Sequence, residues 1–509
     1  MSTLQVQALD RRFSELPRQV DGIIAACARR RTWCALLVAA LLAMQISPWW
    51  RPTPDASAYL SMARSLATSG HITRFGNPQW YYAPGYPTLI SPAFLTGDRP
   101  FLAISLIHFS LGLTLMLGLY LWARQVAFEA AMPVTALVMV NVGLWEHYRR
   151  TISELAFMAA LAWLALALSH VCKASFPRQK LAWVAMSALL LAALCAVRQI
   201  GLLVVFGFGA VMMVDAATRR RPWTEAITFT AAVALPATLL VLALVLREHA
   251  LVRPAVDNTT YITQLADQHV DIPEGFRLRI GEIGRLLLPG MLKAYGRRND
   301  WLNINTLLYL SLAALIAPGW WRAARRTADP LVATLPFYVA FYIVWPFDQG
   351  VRFMLPLLPV LWLSVWQTLE ALPRGRGPVV VLLVVAHLGV AIGYWVRELA
   401  TVRQLDALWP EVMAVTQPLG RRERVVATQG IPAEQQLMLW VAVDRMMKNA
   451  NGPQDIEDRT DCLVAGIATP QPGGFSPQRQ AGPFVLLCRE DLRETSSRVG
   501  NSLRPSHGR

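Results

Sequence analysis

The segment FLAISLIHFSLGLTLMLGLYL, residues 101–121, contains no acidic or basic side chain apart from one histidine. A stretch of about 20 apolar residues is long enough to cross the ~30 Å hydrocarbon core of a bilayer as an α-helix. The rest of the chain has the same character, because 54% of its 509 residues are hydrophobic and only 16% are charged. Soluble globular domains carry about 25% charged residues. The sequence therefore predicts an all-α, multi-pass membrane protein.

Comparable apolar runs recur along the chain and predict eleven membrane spans. The spans are residues 33–48, 101–121, 128–146, 153–171, 181–197, 200–215, 226–246, 302–320, 330–346, 352–370 and 378–396. The short run 200–215 and the closely spaced pair 330–346 and 352–370 also fit tilted or re-entrant segments. The polar, basic N-terminus lacks the pattern of a cleaved signal peptide, so the first span is expected to stay in the protein.

Basic residues are distributed unequally between the two sets of short loops. If residues 1–32 are cytoplasmic, the loops on that side carry twelve basic residues and the opposite loops carry four. The twelve are Arg124, Lys173, Arg178, Lys180, Arg219, Arg220, Arg221, Arg322, Arg325, Arg326, Arg374 and Arg376. The four are Arg149, Arg150, Arg198 and Arg352. Since basic residues favour the cytoplasmic side, the net charge of +15 indicates topology. No nucleic-acid partner is expected, because the charge forms no single patch.

This orientation predicts four segments. A cytoplasmic segment, 1–32, precedes a transmembrane domain, 33–397, whose large outer loops are 49–100 and 247–300. A small periplasmic α/β domain, 398–493, and a disordered tail, 494–509, complete the chain. Functional residues are expected in these polar segments on the outer side.

The C-terminal tail has the periodicity of a small mixed domain. Strands are predicted at RVVATQG, DCLVAGIA and FVLLCRE, a helix at AEQQLMLWVAVDRMMK and a linker at TPQPGGFSPQRQAGP. Cys462 and Cys488 lie in two of these strands in an oxidising compartment, so a disulfide between them is predicted. The chain has no CxxC motif and no Cys/His cluster at zinc spacing, so no structural zinc site is expected. Acceptor binding and a structural role both fit this domain.

The first outer loop contains DASAYLSMARSLATSGHITRFGNPQWYYAPGYP, residues 55–87. Its beginning predicts a short amphipathic helix that ends at Gly70, with Tyr59, Met62 and Leu66 on one face. Such a helix can rest on the membrane surface. This placement holds Asp55 near the outer lipid–water boundary, where an enzyme acting on a lipid-linked substrate needs an acid.

Several motifs resemble those of the GT-C glycosyltransferases that use polyprenyl-phosphate sugars, a group that includes protein O-mannosyltransferases and lipid A aminoarabinose transferases. They are MARSLATSGHIT (62–73), YYAPGYPTLISP (81–92), RRTISELAF (149–157), VRQIGLLV (197–204) and FDQGVRFMLPLLPVLWL (347–363). The resemblance covers roughly residues 33–400. One departure is Ala56, because the protein mannosyltransferases have a second acid after the first.

The resemblance implies a sugar donor on a polyprenyl phosphate and acid residues that assist the transfer. Asp55 is the candidate base for the acceptor hydroxyl, and an alternative role for it is a helix N-cap. Glu154 is the second candidate, since an acid at a membrane end is costly without a function or a partner. Its alternative role is favourable interaction with a helix dipole. One Asp and one Glu fit either a metal-free site or a site with a divalent metal, and no other cofactor is expected.

The four outward arginines are the candidate ligands of the donor phosphate, because guanidinium groups bind phosphate through paired donors. Arg198 and Arg352 are favoured since they begin spans, whereas Arg149 and Arg150 also fit contacts with lipid headgroups. Candidate substrate-binding residues are Tyr59, His71, Tyr81 and Tyr82, for which anchoring at the membrane interface is the alternative. Acceptor-binding candidates in the second outer loop are Asp257, Asp267, Asp271 and Glu274, for which an ordinary solvated loop is the alternative.

We therefore expect an inverting hexosyl- or pentosyltransferase of a bacterial inner membrane, with its active site facing the periplasm. Its expected partners are a polyprenyl-phosphate sugar, membrane lipids and an envelope acceptor. The alternative is a transporter or flippase of lipid-linked saccharides, in which charged residues are usually found near the membrane centre. Here they gather at one predicted face, which favours an enzyme. An inactive protein with the same fold is a third reading.

Overall fold

The computed structural model describes residues 31–75, 77–78, 82–97, 99–174, 176–251, 271–288, 304–345, 350–370, 376–419, 426–443, 448–450, 460–469, 472 and 475–489. Two compact units divide the chain. The first unit comprises Met1–Pro48 and Gln79–Arg397, and the second comprises Trp49–Pro78 and Glu398–Arg509. The first predicted outer loop, 49–100, is therefore shared between the two units.

Helices dominate the first unit. They are α1 (Arg31–Ala43), α3 (Gly85–Ile90), α4 (Phe101–Val126), α5 (Ala131–Met139), α6 (Val142–Tyr148), α7 (Glu154–Lys173), α8 (Pro177–Val197), α9 (Val204–Ala217), α10 (Trp223–Leu251), α11 (Ile272–Leu287), α12 (Ile304–Thr327), α13 (Pro330–Val344), α14 (Leu358–Leu369) and α15 (Arg376–Ala407). Helix α2 (Pro54–Ser69) belongs to the second unit, and α15 continues past Arg397 into that unit.

The predicted spans all overlap helices, but the number of eleven is not confirmed. Within the described residues, six helices are long and apolar enough to cross a membrane. A seventh span results if the pair α5 and α6, which bends by 51°, is counted as one. The helices at Thr32–Ala43, Pro330–Val344 and Leu355–Leu369 are shorter. At 1.5 Å per residue, 15 residues reach only about 22 Å, less than the hydrocarbon thickness.

Helix α7 lies at the centre of the first unit. In its apolar window 78% of the residues are buried, compared with 17% in α10. Its sequence is apolar on all sides from Leu155 to Leu168, which is the pattern of an enclosed helix. Helices α4 and α8 pack against it. The N-terminus of α7 therefore places Glu154 inside the protein.

The second unit contains a five-stranded sheet in the order β4-β3-β5-β7-β6. Its strands are β3 (Val426–Gln429), β4 (Lys448–Ala450), β5 (Cys462–Gly466), β6 (Phe475–Ala481) and β7 (Phe484–Arg489). Strands β4 and β5 are parallel to β3, and β7 is antiparallel to both β5 and β6. The helices α16 (Trp409–Thr416) and α17 (Ala433–Val443) complete the predicted α/β character. The linker prediction at 469–483 was wrong for Phe475–Ala481, because pairing with β7 makes that segment a strand.

Helix α2 (Pro54–Ser69) also belongs to the second unit and ends, as predicted, at Gly70 in a left-handed conformation with φ 70°. The structure also buries the serines of this helix, Ser57, Ser61 and Ser65. A short hairpin of β1 (Thr73–Arg74) and β2 (Asn77–Pro78) follows the helix. The Phe75 amide donates to Ser61 Oγ at 2.7 Å, and the Ser65 hydroxyl donates to the His71 carbonyl at 2.8 Å. These hydrogen bonds supply partners for serine hydroxyl groups that are shielded from water.

The predicted disulfide between Cys462 and Cys488 is confirmed, and it joins opposite positions of β5 and β7. The bond closes a loop of 26 residues, which in the chain-entropy model stabilises a fold by roughly 3 kcal/mol. We expect the double variant Cys462→Ser/Cys488→Ser to lose amide-exchange protection in β5 by a factor on the order of 10². Hydrogen exchange of the full chain in detergent measures this loss.

The matched control for the disulfide is Cys195→Ala, which removes a buried thiol of the first unit that is not part of a disulfide. Exchange in β5 is expected to stay unchanged in this variant. Equal protection of β5 in the double variant and the natural protein would show that the disulfide contributes nothing to the stability of the sheet.

Candidate active site

Glu154 begins the central helix α7 and is completely buried. Two guanidinium groups donate to the same carboxylate oxygen: Arg198 Nη1 lies 2.9 Å and Arg352 Nε 2.6 Å from Oε1. The other oxygen, Oε2, is buried without a hydrogen-bond partner among the described residues. A buried, unsatisfied carboxylate oxygen is costly. The two arginines therefore compensate the buried carboxylate through one oxygen only.

The two arginines come from breaks between helices. Arg198 has an extended backbone between α8 and the 3-10 turn Gln199–Leu203. Arg352 lies in the 3-10 turn Gly350–Phe353, which begins with Gly350 in a left-handed conformation. Irregular backbone between apolar helices is tolerated where it is buried in protein or lines a cavity. The fold therefore brings together three charged residues that the sequence analysis selected separately.

Both arginines remain partly accessible, with side-chain exposures of 14% for Arg198 and 17% for Arg352. Burial lowers the pKa of the Arg198 guanidinium, but the attractions of the Glu154 carboxylate and of Tyr342 and Tyr338 together hold that pKa above its ordinary value. Arg198 is therefore a permanent cation. Its contact with Glu154 uses one of five N–H donors, and the guanidinium can donate to a second anion.

The ring of Phe353 lies beside two guanidinium groups. Arg198 Cζ is 5.8 Å and Arg279 Cζ is 5.9 Å from its centroid, and Tyr342 stacks on it at 4.4 Å. A second ring, that of Phe157, lies 5.9 Å from Arg198 Cζ. Aromatic rings attract cations within about 6 Å, so this apolar wall holds the charges in place without neutralising them.

The sequence analysis missed the ion pair between Arg279 and Glu282. Both side chains are buried, and Arg279 Nη1 donates to the two Glu282 oxygens at 2.7 Å each. The pair lies on α11, within the second outer loop. The helix comes close to α13, because a Cβ at Gly275 would overlap the Ile343 carbonyl oxygen. The i,i+3 spacing of the two charges in an amphipathic segment was the available signal.

These five charged residues carry a net positive charge. Three are arginines (Arg198, Arg279 and Arg352) and two are glutamates (Glu154 and Glu282), which gives +1. We name this set the arginine–glutamate cluster. Its net positive charge suits the binding of an anion. Within the described residues, no three His, Cys, Asp or Glu side chains lie together in a way that could hold a metal ion.

The remaining predicted cations have different surroundings. Arg150 forms an ion pair with Glu146 at 2.8 Å, and both side chains are partly exposed. Arg149 is buried, with its Cζ 5.4 Å from the centroid of the Trp395 ring.

Three predicted site residues, Asp55, Tyr59 and His71, belong to the second unit. Asp55 lies in the first turn of α2, but the hydroxyl of Thr53 caps that helix by accepting from the Ala56 amide at 3.2 Å. The alternative reading of Asp55 as the N-cap was therefore wrong. Tyr59 is buried and His71 is exposed.

Among the other candidates, Tyr82 is half-buried in the first unit. Asp271 caps α11 by accepting from the Glu274 amide at 3.0 Å, and Glu274 pairs with Arg277 at 2.7 Å. These two acids thus have structural contacts of their own. Tyr81, Asp257 and Asp267 lie outside the described residues.

Solved structures share this arrangement of helices. ArnT from Cupriavidus metallidurans bound to undecaprenyl phosphate matches with a TM-score of 0.56 and 12% identity, over 90% of this chain and 96% of that chain. The same protein in the apo state matches with a TM-score of 0.55 and 11% identity, over 90% of this chain and 98% of that chain. A third match is the archaeal oligosaccharyltransferase AglB from Archaeoglobus fulgidus, in complex with an inhibitory peptide and a dolichol-phosphate. Its TM-score is 0.54 and its identity 13%, over 86% of this chain and 70% of that chain.

The sequence matches no protein-family model, and no curated protein matches it. The likeness at 11–13% identity shows a shared fold.

Proposed function

Because the chain has the GT-C-like fold that its motifs predicted, we propose that it is a membrane glycosyltransferase. It moves a sugar from a polyprenyl-phosphate donor to an acceptor of the cell envelope, which is a lipid, a glycan or a protein. The observation that carries this proposal is the convergence of Arg198 and Arg352 on the buried Glu154. Solved structures with the same fold contain undecaprenyl phosphate or dolichol-phosphate, which supports a donor of this class.

In this proposal, Arg198 and Arg352 bind the donor phosphate. The phosphate gains negative charge as the bond between the sugar carbon C1 and the phosphate oxygen breaks. Fixed cations stabilise such a leaving group most strongly in the transition state. Glu154 holds both guanidinium groups, so they need little reorganisation when the donor binds. A net charge of +1 attracts the anionic donor into a largely apolar region.

The transfer itself is a single displacement. The acceptor hydroxyl oxygen forms a bond to C1, the electrons of the C1–O bond leave with the phosphate, and the configuration at C1 inverts. A base takes the hydroxyl proton, and we propose Asp55 for this role on the strength of the sequence motif.

The proposed location is the inner membrane of a bacterium, with the reaction on the periplasmic face. The unequal distribution of basic residues over the loops supports this orientation. The apolar helices support insertion as a multi-pass protein. Large outer segments on the same side are available for an envelope acceptor.

A test compares envelope lipids and glycans from cells with and without the protein by mass spectrometry. We expect one sugar modification to depend on the protein. Purified protein in vesicles is then given a radiolabelled polyprenyl-phosphate sugar together with the acceptor so identified, and release of polyprenyl phosphate is expected to equal the sugar transferred. Movement of intact donor across the membrane without a new glycosidic bond would contradict the proposal and would identify a flippase.

A further inference from the structure

We propose that the turn between α9 and α10, residues 216–223, is a binding site for the phosphate of an anionic phospholipid headgroup. A surface cavity of about 420 Å³ lies at this turn. It is lined by Ala216, Arg219, Arg220, Arg221, Pro222 and Trp223. Three guanidinium groups facing one cavity form a natural anion site. This site is separate from the arginine–glutamate cluster and does not depend on the proposed function.

The position of the turn points to a lipid as the source of the anion. The turn joins two helices that are apolar enough to cross a membrane, Gln199–Ala217 and Trp223–Arg247. It therefore lies at a membrane–water boundary, at the level of the headgroups. Trp223 is 52% exposed, and exposed tryptophan is typical of this boundary.

One wall of the cavity is rigid. The Arg221 side chain is only 7% exposed and forms an ion pair with Glu225, and its Nη2 donates to the Cys172 carbonyl at 3.1 Å. Its buried Nε has no partner among the described residues. Arg221 is thus an oriented, nine-tenths buried guanidinium in the wall of the cavity.

Arg219 lies in a conformation that normally favours glycine. Its φ is 59°, and it ends α9 through bonds from its own amide to the Ala216 carbonyl and from the Arg220 amide to the Asp215 carbonyl. Glycine is the usual residue at this position of a helix end. An arginine that accepts this strain, with an exposed side chain at the cavity, indicates a use for the guanidinium.

Nearby acids do not neutralise the cavity. Glu225 pairs with both Arg221 and Lys180, and Asp215 is half-buried one turn before Arg219. Four cations, three of them cavity arginines, face these two acids, which leaves a net charge of +2. Topology alone requires basic residues on this side, but it does not require them to line one cavity beside a tryptophan.

The test measures phospholipid binding to the full protein in detergent by native mass spectrometry, with phosphatidylglycerol and phosphatidylcholine as probes. We expect Arg219→Gly to weaken phosphatidylglycerol binding about fivefold, since one arginine near an anionic lipid is worth roughly that factor. Phosphatidylcholine binding is expected to stay unchanged. The melting temperature should not fall, because glycine relieves the left-handed strain.

The matched control is Arg178→Ala, which removes an exposed arginine at the start of α8 that lies outside the cavity. It is expected to leave phosphatidylglycerol binding unchanged. Equal weakening by the two variants would show a general effect of surface charge and overturn the proposal. Binding of inorganic phosphate that depends on Arg219 and is not displaced by phosphatidylglycerol would also overturn it, because the ligand would then be a free anion.

Discussion

Replacing Arg352 with alanine is expected to lower sugar transfer by a factor on the order of 10² or more, because it removes a fixed cation from the leaving phosphate. Glu154 keeps its contact with Arg198 at 2.9 Å in this variant, so the buried carboxylate is not left without a partner. The amount of protein in the membrane should therefore change little. The measurement is the rate of polyprenyl-phosphate release per amount of inserted protein.

Two further variants sharpen this prediction. Arg352→Lys should restore only part of the activity, because an ammonium group cannot reproduce the planar fork that donates to Glu154 and to a phosphate together. Arg326→Ala breaks an exposed ion pair with Glu370 outside the cluster and should leave transfer unchanged. Full activity of Arg352→Ala would show that Arg352 does not contact the donor.

The coupling between Arg352 and Glu154 separates two roles for the glutamate. If Glu154 acts by holding the arginines, Glu154→Gln should cost less activity in a chain that already has Arg352→Ala than in the natural protein, because only the contact with Arg198 is then left to lose. Residues that act as one unit are non-additive in this way. Fully additive losses would mean that Glu154 acts independently of Arg352.

The Asp55→Asn variant is expected to lose transfer activity by a factor on the order of 10² or more, since general base catalysis typically contributes 10²–10⁴. Asparagine keeps the shape of the side chain but accepts no proton at neutral pH. Because Thr53 caps α2, the helix does not depend on residue 55 for its cap. Normal protein levels are therefore expected, measured in the same membranes as the transfer rate.

The matched control for Asp55 is Thr53→Ala. It removes the observed cap and should destabilise the second unit by about 1 kcal/mol, while transfer per folded molecule is retained. Opposite outcomes are thus expected for stability and activity in the two variants. Full transfer by Asp55→Asn at normal protein levels would exclude Asp55 as the base.

The candidate cluster was only partly predictable from the sequence. Glu154, Arg198 and Arg352 each stood out, because a charge at the end of an apolar helix requires a partner or a function. The sequence did not indicate that these three side chains contact one another, since Glu154 is 44 positions from Arg198 and 198 positions from Arg352. Arg279 and Glu282 were missed because their segment was treated as a loop, and only its packing against α13 buries them.

The sequence by itself determined the class of the protein, the places of its apolar helices, the end of α2 at Gly70 and the disulfide partners. These features depend on local composition, on the conformational freedom of glycine and on compartment chemistry. The structure decided that three apolar helices are too short to cross a membrane by themselves, because the apolar runs in the sequence extend beyond the residues that are helical. It also decided that β6 is a strand and that the serines of α2 are buried. Both depend on hydrogen bonds from another segment, the strand β7 for β6 and the short hairpin for the serines, and such partners have no local signature in the sequence.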